Sequence, residues 1–206
     1  MKNHSNKLRM RIQLALLTAI LLLLAFTPVG YLRIGILEIT FLTIPVIVGA
    51  CVLGPAAGAF LGLAFGATSF ATCFGSSVFG TTLFGIQPFF AFLVCVPTRI
   101  LMGLFCGILF RIFYRLDRKK IGCFLAAGLC GALLNTLFFM TALMTLFGNS
   151  DFIRGLWNTM APNSNVLVFI IAFVGLQGLV EALVCGTIGA AVSKTLTAAG
   201  LSQYKK

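Results

Sequence analysis

Four polar side chains stand inside otherwise apolar runs of this sequence: Arg99, Asn135, Gln177 and Glu181. Taking an ionisable group out of water is costly, so such residues are functional by default when the run around them is a membrane span. Their chemistry is that of recognition. A guanidinium offers a planar fork of donors that matches a carboxylate at two points. An asparagine or glutamine amide gives and accepts hydrogen bonds, and an ionised glutamate only accepts them. Gln177 and Glu181 are four residues apart and share a helix face. Two uses follow from these types. Arg99 and Glu181 can neutralise each other inside a bundle, with Asn135 and Gln177 completing the hydrogen bonds. Alternatively the four form a polar pocket for a small molecule, which Tyr31 and Trp157 from flanking loops could close.

Other chemistries lack their residues. No GxxxxGKS/T phosphate loop is present, so the chain does not itself hydrolyse ATP. The single histidine, His4, lies in a polar N-terminal tail, away from any serine it could activate. No HExxH motif, acidic cluster or aspartate pair offers a metal or a lipid-headgroup transferase site. The seven cysteines form no CxxC pair and mostly fall in apolar runs, where small buried residues are expected rather than ligands. No catalytic residue, metal or cofactor is therefore expected, and an intramembrane enzyme is the weaker class.

The elements that must position these groups follow from composition. The 206 residues are 60% hydrophobic and 9% charged, with a mean hydropathy of +1.08, which excludes a soluble globule. A crossing of a hydrocarbon core of roughly 30 Å needs about 20 apolar residues. Laid along the chain, that ruler predicts a compact all-α bundle of six transmembrane helices in one domain, at about 8–28, 39–53, 56–74, 88–110, 121–147 and 166–192. Breakers at the TPVG of 27–30 and at Gly54-Pro55 make the first cuts. Pro45 interrupts the second span and Pro97 is expected to bend the fourth. Residues 31–38 read as a short polar loop. The Gly-, Ser- and Thr-rich stretch 75–87 reads as a loop dipping into the membrane, and 148–165 as a polar connection. The basic and then apolar start reads as an uncleaved first helix, since no A-x-A pattern follows it.

The net charge of +11 is topological. Lys2, Lys7, Arg9 and Arg11 precede the first span, Arg111, Arg115, Arg118, Lys119 and Lys120 follow the fourth, and Lys194, Lys205 and Lys206 close the chain. Only Arg33 and Arg154 fall in the opposite loops. Both termini and the 111–120 loop are thus expected in the cytoplasm, and no basic segment interleaved with aromatics suggests nucleic acid. Counted from the cytoplasmic ends at about 1.5 Å per residue, the four polar residues lie roughly 18–26 Å up, in one layer of the outer half. Small residues recur every fourth position at Gly54, Gly58, Gly62 and Gly66, which predicts close helix contact. Ala15 and Ala19 repeat the spacing near the cytoplasmic end of the first helix, where a partner could reach them.

With these residues in place, the chain resembles the substrate-binding (S) components of energy-coupling factor (ECF) vitamin transporters over nearly its whole length. The likeness rests on the size and six-span plan, on the AxxxA of Ala15 and Ala19, and on TPVGYLRIGILEITFLTIPVIVGACVLGP. VPTRILMG around Arg99, the Asn135-Thr136 pair and Glu181 complete it. It implies an uptake subunit of a bacterial cell membrane whose partners are a transmembrane coupling protein and two cytoplasmic ATPases. Ala15 and Ala19 would face that coupling protein. The segments look most like the pantothenate branch, whose relatives also take folate and pyrimidine precursors; the sequence departs in having Gln177 where an asparagine is expected. For pantothenate, Arg99 would hold the carboxylate, Asn135 the amide or hydroxyls, and Gln177 a second amide contact. Glu181 would accept a hydroxyl or orient Arg99 from behind. Alternatives are an S component for another vitamin, riboflavin included, or a small autonomous secondary carrier, which would need a coupling-ion site and an internal repeat that the sequence does not show.

Overall fold

The structure, a computed structural model, describes residues 2–27, 30–34, 37–117, 122–162 and 165–203, with the side chains of 2–6, 32–34, 37–39, 176 and 177 excepted. Arg118, Lys119, Lys120, Lys205 and Lys206, counted above for topology, lie outside the described residues.

Among the described residues, eight helices and one hairpin follow in the order α1 (Lys2–Ala25), β1 (Tyr31–Ile34), β2 (Leu37–Thr40), α2 (Thr43–Leu53), α3 (Pro55–Thr72), α4 (Val78–Ile86), α5 (Pro88–Leu116), α6 (Gly122–Phe147), α7 (Asp151–Met160) and α8 (Val166–Ala198). Stretches in α1, α3, α5, α6 and α8 are each long and apolar enough to cross a membrane. Helices α3, α5, α6 and α8 pack in that sequence, α2 packs against all four, and α1 lies against α2 and α3. Leu8, Ile12, Leu16 and Leu23 of α1 are all more than half exposed, an outward stripe that lipid can cover.

Several expectations are revised. The second span, expected from residue 39, is an 11-residue helix from Thr43 preceded by strand β2. At about 1.5 Å per residue it is roughly 16 Å long, half a hydrocarbon core. All its residues but Ile44 are buried, the mark of a helix apolar all round and enclosed by neighbours. The loop expected at 31–38 is an antiparallel hairpin pairing Tyr31 with Thr40 and Leu32 with Ile39. The loop expected at 75–87 contains helix α4. Its start is set by Ser77, whose Oγ accepts from the Gly80 N–H at 3.2 Å, and Pro88 follows its C-cap at Gln87. Within 148–165, Ser150 caps α7 in the same manner through the Ile153 N–H at 3.3 Å. Helices α5 and α8 continue past 110 and 192, to Leu116 and Ala198.

The glycine ladder sets the geometry. Gly54, at φ 94°, turns the chain between α2 and α3, in a region that L side chains avoid. Beyond it, a Cβ on Gly58 would strike the Gly103 carbonyl, one on Gly62 the Arg99 carbonyl, and one on Gly66 would lie 2.8 Å from Val96 Cα. Helices α3 and α5 therefore meet backbone to backbone. Gly128 of α6 meets the Gly186 carbonyl of α8 in the same way.

Candidate functional site

One cavity of about 110 Å³ opens among α3, α4, α5, α6, α8 and the hairpin. That is less than the roughly 150 Å³ of an apolar cavity that holds benzene, so a larger solute must extend through the mouth or displace the walls. Arg99, Asn135 and Glu181, taken from α5, α6 and α8, all face it. They are 7%, 6% and 3% exposed, so whatever satisfies them is protein or a bound molecule.

Arg99 is positioned by its own helix. Pro97 lies inside α5 and leaves the Leu93 carbonyl without its i−4 donor. One residue on, the Val94 carbonyl accepts from the Thr98 hydroxyl and from Arg99 Nη1 at 2.7 Å. Nη1 also donates to Thr98 Oγ1 at 3.0 Å. The guanidinium carbon lies 5.5 Å from the ring centre of Phe65 and 4.7 Å from that of Phe139, so two aromatic rings attract the cation, each contact being worth about 0.5–2 kcal/mol. Nε is buried with no hydrogen-bond partner, and no protein acceptor meets Nη2 among the described residues. The Nε–Nη2 edge is thus a two-donor fork left open.

Glu181 is held by Asn135, whose Nδ2 donates to its Oε1 at 3.1 Å. Asn135 Oδ1 is buried and accepts from no protein donor. Arg99 and Glu181 make no direct ion pair among the described residues, although both face the same cavity. The reason is local: the Val94 carbonyl, Thr98 and the Phe rings already orient the guanidinium. The cavity therefore presents an open donor fork from α5 and acceptor oxygens from α6 and α8.

Of the loop residues expected to close the pocket, Tyr31 lines the cavity beside its cross-strand partner Thr40. Trp157 does not. It stacks on Phe169 at 5.3 Å, which stacks on Phe173, which touches cavity-lining Phe79 at 5.9 Å. Gln177 lies on α8, but its side chain is outside those described. Sequence reasoning missed Phe65, Ser69 and Thr72 of α3 and Phe79 of α4. Ser69 and Thr72 follow the glycine ladder on the helix it presses against α5, a signal available from spacing alone. Ala15 and Ala19 are exposed on α1, remote from the cavity.

An all-helical membrane bundle enclosing a small cavity with unmatched donors and acceptors belongs to the class of membrane-embedded solute-binding proteins. Residues 9–193 match the family model of the ECF transporter, substrate-specific component, and the chain belongs to that family. Comparison with curated protein sequences returns no match. The chain is accordingly a multi-pass membrane protein and a transporter subunit, not an enzyme. It takes a small-molecule substrate and works with an ECF energising module.

Proposed function

We propose that this S component captures a small hydroxylated acid, pantothenate by the chemistry of its groups, from outside the cell and delivers it to the cytoplasm with a coupling protein and two ATPases. The observation that supports this reading is the open Nε–Nη2 edge of Arg99, buried between two phenyl rings. A buried cation wants an anion, and a side-on fork wants the two oxygens of a carboxylate. Pantothenate supplies that group at one end and an amide and two hydroxyls along its length, donors for Asn135 Oδ1 and for Glu181. Gln177 and Tyr31 would add contacts, and Trp157 would brace the cover through its chain of rings. The outward orientation rests on the basic residues: Arg111, Arg115 and Lys194 lie at the helix ends away from the cavity.

Mass spectrometry of small molecules released from the purified protein tests this, followed by calorimetry. Pantothenate, or another acid with hydroxyl or amide donors, is expected. A retained molecule with no acid group would sink the reading.

A further inference from the structure

Two thiols in the cavity wall have no part in capture. Cys73 caps the C-terminus of α3, and Cys95 lies on α5 one turn before Arg99 and on the same face. Both are buried, both line the cavity, and their Sγ atoms are 4.0 Å apart. The pair stands where the tight α3–α5 seam gives way to the cavity, beyond the contacts of Gly62 with Arg99 and of Gly66 with Val96. Backbone packing therefore holds the two sulfurs in register. Gly80 of α4 makes room for them, since a Cβ there would lie 2.9 Å from Cys73 Sγ. A disulfide brings sulfurs to about 2.05 Å, so bridging needs an approach of roughly 2 Å.

We infer that Cys73 and Cys95 form a redox modification site whose closure shuts the cavity. This rests on the cavity being the capture site proposed above. The oxidant is a low-molecular-weight disulfide. One cysteine thiolate attacks it and releases a first small thiol; the second cysteine then displaces a second small thiol from the mixed disulfide. Two S–H bonds are lost and one protein S–S bond is formed, with two electrons and two protons leaving on the two released thiols. The new bond draws the end of α3 and the start of the α3–α4 turn onto α5 next to Arg99, narrowing the space available to a solute.

The test treats purified protein with bis(2-hydroxyethyl) disulfide. A loss of two hydrogens in intact mass and a proteolytic fragment joining Cys73 to Cys95 are expected. Pantothenate affinity should fall by about tenfold or more and return with reductant, while the double variant Cys73→Ser with Cys95→Ser shows the same affinity before and after treatment. Cys73 and Cys95 still alkylatable after treatment, or a bridge with affinity within about twofold of the reduced protein, overturns the inference. Reduced protein that fails to bind pantothenate counts against the ligand reading instead. The joined fragment then decides the modification site, and the molecule that co-purifies serves as the binding probe.

Discussion

Replacing Arg99 separates recognition from architecture, because the two roles predict opposite effects on the empty protein. In the structure Nη1 is engaged by the Val94 carbonyl and Thr98, while the Nε–Nη2 edge meets no acceptor. Arg99→Lys keeps the charge but replaces the two-point fork with a point donor. The loss is at least one charge-assisted hydrogen bond, about 1.5–3 kcal/mol, or roughly one to two orders of magnitude in Kd. Arg99→Met removes the charge as well, and binding should fall beyond calorimetric reach. Its effect on the empty fold should be small or stabilising, since it deletes a buried cation that makes no direct ion pair. Had Arg99 been half of a structural ion pair, the same change would strand Glu181 and lower stability by about 3–5 kcal/mol. Titration of pantothenate into each purified variant, with thermal unfolding of the ligand-free proteins, supplies both readings. A destabilised Arg99→Met that still binds normally would refute the reasoning.

Three further outcomes are expected. Gly62→Ala places a Cβ against the Arg99 carbonyl, so it should lower stability by about 1–3 kcal/mol and weaken binding by displacing the guanidinium; unchanged melting would disprove the seam. Ala15→Trp with Ala19→Trp, on the exposed face of α1, should block assembly with the coupling protein while leaving solute affinity intact, as read by co-purification and calorimetry; normal uptake by that double variant would count against docking there. In a background without native cysteines, Arg115→Cys should react with an impermeant maleimide only from the cytoplasmic side and Arg154→Cys only from outside. The reverse pattern would invert the topology.

The all-helical membrane architecture was legible because length and apolarity of a span are set by the bilayer, a single strong constraint. The small-residue ladder of α3 was legible for a similar reason, since only glycine permits contact with the Arg99 carbonyl. Short elements escaped. Helix α4 is built from Val78, Phe79, Gly80 and two threonines, poor helix formers on their own, and it exists because Ser77 caps it and Phe79 and Leu83 are buried. The hairpin around Tyr31 hid in a segment whose apolar residues do not alternate cleanly. The residue types at the cavity, Arg99, Asn135 and Glu181, could be picked from depth alone. Their pairing could not: that Asn135 rather than Arg99 meets Glu181 goes with the hold of Val94, Phe65 and Phe139 on the guanidinium, contacts from three helices whose convergence no local pattern encodes.

The seam between α3 and α5 also bears on how a bound solute leaves. Arg99 is itself a rung of it, its carbonyl pressed against Gly62, so the charge at the heart of the cavity is mounted on a backbone-to-backbone joint. Sliding α5 to withdraw that charge would drive backbone into backbone. We therefore expect discharge to begin at the other walls, at the hairpin bearing Tyr31, at α4 or at the α6–α8 pair bearing Asn135 and Glu181. Spin labels on α3 and α5 should keep one fixed separation with and without solute, whereas a label on α4 should change its distance to either. In mechanical terms α3 and α5 would act as an anvil, and emptying the site would be the work of the parts that close on it.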